Sequence, residues 1–190
     1  MDQIVLKNQL VKIELILFFM RLFSCIGFGM LYAGISIFLL NHLKMETNLA
    51  LSIVGVFIAL HYSLSLLSGF FSGKWISPLG ALAISVLLQA VAIGIIYNSS
   101  TSFFIGVAIF LVGNMAGSTS INMIITQSFT VTNNIQERVF LRNYAGQNLG
   151  SMIGFSLAGY FQLWGNITHI SYIASPLMLI TKCPSIRSSF

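Results

Sequence analysis

The chain has 190 residues, of which 56% are hydrophobic and only 7% are charged, and its formal net charge is +5. Water-soluble domains carry about a quarter charged residues, so this composition excludes a soluble globular protein. The basic residues are scattered between apolar runs and form no continuous stripe, which argues against nucleic acid as a partner. The predicted environment of the chain is therefore the lipid bilayer.

Six apolar runs, separated by short polar connections, fill most of the sequence. A helix needs about 20 mostly apolar residues to cross a hydrocarbon core about 30 Å thick, and the runs lack the alternation typical of a membrane β-barrel. The sequence therefore predicts an all-α fold, a polytopic membrane helical bundle of about six transmembrane helices that forms a single membrane domain over residues 1–190. The predicted spans cover about 15–40, 49–71, 79–97, 103–129, 140–163 and a short, weak 167–180, and a cytoplasmic tail follows at 181–190.

The distribution of lysine and arginine predicts the orientation, because basic residues near the ends of spans are retained on the cytoplasmic side. With the N-terminus inside, Lys44 alone falls outside. The cytoplasmic side receives Lys7, Lys12, Lys74, Arg138, Arg142, Lys182 and Arg187. We expect a multi-pass protein of the inner or plasma membrane whose N-terminus is cytoplasmic.

Two ionisable side chains lie deep in the first two predicted spans, where they usually face a cavity or each other. His61 is near the middle of the second span beside Tyr62, and it either lines a cavity or bonds to a neighbouring helix. Arg21 lies about one and a half turns into the first span. Its guanidinium either points into a central cavity or snorkels to the cytoplasmic surface, and snorkelling is the favoured alternative.

The fifth predicted span combines regularly spaced glycines with amides. Gly146, Gly150 and Gly154 recur every four residues, the spacing that lets another helix backbone approach closely. Gln147 and Asn148 need partners or water inside a membrane, so we expect them to line a cavity. The small and hydroxylated residues at 113–122 in the fourth span suit tight packing and a wet path equally well.

No pattern of catalytic or metal-binding residues occurs in the sequence. It contains four acidic residues, no zinc-binding His-Glu-x-x-His and no phosphate-cradling Gly-Lys-Ser/Thr loop. Cys25 and Cys183 are far apart and indicate neither a disulfide framework nor a metal knuckle. We therefore predict no enzymatic activity, no metal site and no cofactor.

The fifth span contains the pattern Tyr-x-Gly-x-Asn-x-Gly at Tyr144, Gly146, Asn148 and Gly150. With it, the chain resembles the N-terminal half of a major facilitator superfamily transporter, and more narrowly the proton-dependent oligopeptide transporters. The second span is similar as well, because Tyr62 precedes a glycine by seven residues. The resemblance implies one half of a major facilitator fold.

The resemblance also implies a function, a symporter-like secondary transporter of small peptides, of which this chain is a truncated half. Transport would require a second six-helix bundle or a homodimer. The residues implied to bind substrate are Asn148, Tyr62, His61, Arg21, Tyr144 and Gln147.

The sequence departs from the family pattern in the first span, where the family's acidic residues are absent, and at Ser118, where the family has a lysine. Two alternatives therefore stay open. The chain is either a non-transporting membrane fragment or scaffold, or a major facilitator transporter for another small solute.

Overall fold

A computed structural model describes residues 2–71, 76–96, 100–129 and 133–163, and within these ranges the chain forms five long α-helices. The helices are α1 (Asp2–Ile37), α2 (Thr47–Phe71), α3 (Pro78–Ile96), α4 (Ser100–Ser128) and α5 (Asn133–Leu163). A π-helical turn, Phe38–His42, continues α1. The first five predicted spans fall on these five helices, and the predicted all-α fold is confirmed over the described ranges. The sixth predicted span, 167–180, and the tail at 181–190 lie outside them.

Four of the helices are long and apolar enough to cross a bilayer. Their candidate spans are Gln9–Asn41, Thr47–Ser68, Pro78–Ile96 and Ser102–Ser128. Helix α5 is longer than most of them, but its first half carries charged and amide side chains, so it falls short of the same apolarity. The helices fit part of a multi-pass membrane bundle, in which backbone polar groups are satisfied within each helix.

Helices α1 and α5 pack closely through the glycines predicted to be contact points. A Cβ atom added at Gly150 would collide with the carbonyl oxygen of Leu22, and one at Gly154 would collide with the carbonyl oxygen of Ile26. At Gly146, an added Cβ would lie within 3.0 Å of the Phe18 ring. The expectation that this glycine spacing serves helix packing is confirmed, since α1 occupies the space that side chains would need.

Helices α3 and α4 form a second closely packed pair. An added Cβ at Gly113 would lie 2.9 Å from the carbonyl oxygen of Ser85, and one at Gly106 would lie 2.9 Å from the amide nitrogen of Ile96. The glycines of the 113–122 segment thus serve packing against α3. The polar residues beside these glycines lie on a different face of α4.

The two pairs meet around a core at one end of the bundle, where the rings of Phe38 and Phe103 stack with centroids 4.2 Å apart. Helix α2 lies against this core through Ala50 and Val54, and the hydroxyls of Ser68 and Thr119 tie it to α4. Helices α4 and α5 make little contact with each other. The bundle therefore contains a gap between the α1–α5 pair and the α3–α4 pair.

Candidate functional site

A central cavity of about 340 Å³ occupies this gap and is lined by side chains from α1, α2, α4 and α5. The close α1–α5 contact brings the side chains between the glycines, Gln147, Asn148 and Ser151, to the cavity wall. Five of the six predicted substrate-binding residues line it. These are Arg21, Tyr62, His61, Gln147 and Asn148.

Arg21 lies at one end of the cavity and is 9% exposed. One terminal nitrogen, Nη1, donates to Ser118 Oγ at 2.5 Å, and the other, Nη2, donates to Gln147 Oε1 at 2.7 Å. The expectation that Arg21 snorkels to the surface is wrong. Acceptors on α4 and α5 hold the buried guanidinium inside the bundle.

The charge of Arg21 has no carboxylate beside it in the cavity. None of the described residues that line the cavity is an aspartate or a glutamate. The Arg21 Nε atom is buried and has no hydrogen-bond partner among the described residues. Since a buried cation is costly unless it is paired, this end of the cavity suits an anionic group.

His61 reaches the cavity from α2 and packs on Phe28, with ring centroids 4.8 Å apart. Its Nδ1 atom is buried and has no hydrogen-bond partner within the described part of the chain. Of the two alternatives for His61, the structure therefore favours exposure to the cavity. Tyr62 is 67% exposed and lies at the cavity's edge.

The opposite end of the cavity is aromatic. Tyr32 stacks on Phe28 at 5.9 Å and meets the edge of Phe155 at 5.8 Å. Phe28 also stacks on Phe110 of α4, at 6.4 Å. The polarity of the lining therefore changes along the cavity, with a cation and amides at one end and aromatic rings at the other.

Two polar cavity residues on α4 were not among the predicted site residues. Asn114 is buried at the cavity wall, and Ser118 accepts the hydrogen bond from Arg21. They lie four residues apart, one helical turn, on the face next to the glycines that contact α3. The 113–122 segment thus serves both alternatives, because packing and the polar path use adjacent faces of one helix.

Tyr144 is the predicted site residue that does not line the central cavity. It is exposed and lines a second cavity between α4 and α5, whereas Asn148 one turn later reaches the central cavity. Within the described residues, no group of three or more histidine, cysteine or acidic side chains is arranged to hold a metal ion.

A buried carboxylate ties α1 to α5 beyond the central cavity. Glu14 accepts a hydrogen bond from Arg142 Nη1 at 2.6 Å and lies 3.8 Å from Arg138 Nη2. The Glu14 side chain is 7% exposed, whereas that of Arg142 is 61% exposed. Beside this pair, the Asn143 amide donates to the carbonyl oxygen of Leu17. These contacts fix the register of α5 against α1.

The asymmetric burial of this ion pair predicts unequal effects of removing its two members. Arg142→Ala leaves a buried carboxylate with a poor partner and should destabilise the fold by about 1 to 2 kcal/mol, less than a fully buried pair would lose. Glu14→Gln leaves an arginine that water can solvate, and it should cost less than about 1 kcal/mol. Thermal unfolding in detergent, followed by circular dichroism, measures both.

The double variant supplies the control for this prediction. Glu14→Gln combined with Arg142→Ala removes both charges and should be more stable than Arg142→Ala alone. Equal unfolding temperatures for the two single variants would show that the pair has no such asymmetry.

Comparison with known proteins places this geometry in a transporter fold. No family model and no curated protein matches the sequence. Among solved structures, the chain is similar to a mutant of the peptide transporter POT in complex with sulfate, with a TM-score of 0.81 and 16% identity. It is equally similar in fold to a POT family transporter, at 17% identity, in complexes with a thioalcohol-conjugated peptide and with 5-aminolevulinic acid. The chain has the fold of a part of these transporters.

The similarity covers 88% of this chain and 36% of each of these transporters. The chain therefore spans about a third of the length of the structures that it matches. The resemblance predicted from the fifth span is confirmed at the level of the fold, and so is the predicted partial helical bundle.

Proposed function

We propose that the central cavity binds a small solute by its acidic group, and that the chain forms one wall of the pathway of a secondary transporter for small peptides. The observation that carries this proposal is the buried Arg21 guanidinium, which faces the cavity without a carboxylate partner among the described residues. A carboxylate accepts charge-assisted hydrogen bonds from guanidinium nitrogens with matching planar geometry. A peptide C-terminus would supply that group.

The remaining lining supports a peptide as the solute. Asn148 and Asn114 offer amides to a peptide backbone, Tyr62 offers a hydroxyl, and the aromatic end accepts an apolar side chain. The ligands named for the similar structures are a conjugated peptide, 5-aminolevulinic acid and sulfate. Sulfate and 5-aminolevulinic acid each carry an anionic group that would suit Arg21.

Transport by this wall would need a second one. Asn148 and Tyr62 line the cavity but are exposed at its edge, and an amide exposed to hydrocarbon has no hydrogen-bond partner there. We propose that a second six-helix bundle or a second copy of the chain covers this edge and allows alternating access around a shared site.

The proposed transport is symporter-like, in the inner or plasma membrane, with the N-terminus in the cytoplasm. Among the described cavity residues, His61 is the candidate proton carrier, because an imidazole can both accept and donate a proton. Enzymatic activity forms no part of the proposal.

The role of Asn148 is testable by equilibrium binding of a radiolabelled dipeptide to the purified full chain. Asn148→Ala removes one hydrogen bond and should weaken binding by about 0.5 to 1.5 kcal/mol, roughly 2- to 12-fold. Ser156→Ala is the matched control, since this exposed hydroxyl on the same helix donates, among the described residues, to the carbonyl oxygen of Met152 alone. Equal binding by wild type and Asn148→Ala would remove Asn148 from the site.

A second candidate function is a non-transporting membrane scaffold. The absence of a carboxylate from the described cavity wall favours it, because the wall lacks the acidic proton carriers of the resembling family. Crosslinking in native membranes distinguishes the two, since a transporter assembled from parts must yield a dimer or a complex with a second bundle. A strict monomer would favour the scaffold.

A further inference from the structure

A second cavity, of about 450 Å³, lies between α4 and α5 on the other side of Arg21. Its lining is mixed, with Asn122 from α4 and with Glu137 and Tyr144 from α5. These residues follow Ser118 along α4 and precede Gln147 along α5. The second cavity therefore lies towards the end of the bundle where α4 ends and α5 begins.

Arg21 and Gln147 line both cavities. At this level the guanidinium lies within hydrogen-bond distance of Ser118 on α4 and of Gln147 on α5. One side chain from α1 thus fills the space between two helices that otherwise make little contact. The two hydrogen bonds close the junction between the cavities.

We propose that the bridge from Ser118 through Arg21 to Gln147 is a gate between the central cavity and the second cavity, and that the second cavity is the passage by which solute enters or leaves. The three side chains close this gate by bonding to one another, and they do so when no solute is bound. The lining of this passage is polar and carries both signs of charge, since Asn122, Tyr144, the Glu137 carboxylate and Arg21 itself contribute to it.

The gate also couples opening to solute binding, a step that rests on the proposed function. An acidic group bound to Arg21 would compete for the N–H groups that hold Ser118 and Gln147. Loss of these bonds would free α4 from α5 at the junction. Solute in the central cavity would then open its own route to the second cavity.

Cys25 is a natural reporter for the closed gate, because it lines the central cavity one turn beyond Arg21. The experiment uses the full chain with Cys183→Ser, reconstituted in vesicles, and a membrane-impermeant cationic methanethiosulfonate reagent without solute. Reagent is added on either side of the membrane, and the rate of Cys25 labelling is measured from each. From the side where α5 begins, Ser118→Ala and Gln147→Ala should each accelerate labelling at least about tenfold. A tenfold change corresponds to a loss of about 1.4 kcal/mol from the free energy that favours the closed gate.

Ser120→Ala is the matched control, since this buried hydroxyl on α4 bonds to the carbonyl oxygen of Ala116 in its own helix. It should label at the wild-type rate from both sides. A gate accelerates labelling from one side, whereas general loosening accelerates it from both. Unchanged rates in Ser118→Ala and Gln147→Ala, or equal acceleration from both sides, would overturn the proposal. Because no solute is present, this outcome is independent of whether the cavity binds peptides.

Discussion

Replacing Arg21 with methionine should abolish the preference of the chain for a dipeptide over the same dipeptide with an amidated C-terminus. Wild type should bind the free acid about 1.5 to 3 kcal/mol more tightly, roughly 10- to 150-fold, because hydrogen bonds to charged groups contribute that much. The variant removes the guanidinium but keeps much of the apolar stem. Competition binding with the two peptides on purified full chain measures the ratio of affinities.

A measurement of stability separates this binding role from a structural one. Arg21 is a buried cation whose hydrogen bonds reach neutral acceptors, Ser118 and Gln147. Arg21→Met therefore relieves the cost of a buried, unpaired charge while it removes two hydrogen bonds. Because these two effects oppose each other, we expect Arg21→Met to unfold at a temperature close to that of wild type.

Arg21→Lys is the matched variant, since it keeps the charge but loses the planar fork of donors. It should retain part of the preference for the free acid. The binding role would be contradicted if Arg21→Met discriminated between acid and amide as wild type does.

Gly150→Ala adds a single methyl group and should destabilise the bundle. Apart from Gly154→Ala, no other glycine-to-alanine change on this face of α5 should have so large an effect. The added Cβ would collide with the carbonyl oxygen of Leu22 and lie 3.0 Å from the Cβ of Cys25. The backbone of α1 has no rotamer with which to give way, so α1 and α5 must separate. Overpacking of this kind typically costs about 1 to 3 kcal/mol.

Gly159→Ala is the matched control in α5, because no atom of the described residues lies within 4 Å of a Cβ at this position. It should be neutral, or stabilise by up to about 1 kcal/mol through the higher helix propensity of alanine. Thermal unfolding of the two variants in the same detergent gives the comparison. Dipeptide binding should fall with Gly150→Ala as well, since Gln147, Asn148 and Ser151 reach the cavity because α5 lies so close to α1. Equal stability of the two variants would refute the close-packing account.

The orientation of the Arg21 side chain could not be predicted from the sequence. Its position in the first span was evident, but the choice between snorkelling and the interior depends on where acceptors lie. Ser118 and Gln147 are 97 and 126 residues away along the chain. Hydropathy and periodicity describe one helix at a time, so they favoured the shorter route to the surface.

In the 113–122 segment of α4, too, the neighbouring helices decide the role of each residue. The sequence offered packing and a polar path as equal alternatives, and the structure assigns each to a different face. Gly113 meets α3, while Asn114 and Ser118 meet the cavity. Composition could not separate them, because both uses require small side chains and the faces differ only in which helix is opposite.

The sequence by itself determined that the chain folds in lipid, that its spans are helices, and that glycines four residues apart in α5 mark a close helix contact. These properties follow from local quantities, namely apolar length and helical spacing, which need no knowledge of neighbours. Only the tertiary structure decided that α1 is the partner of those glycines, that Arg21 turns inward, and that Tyr144 lies apart from Asn148. Each of these depends on which helices meet, because the buried charge and the amides gain their partners from other helices.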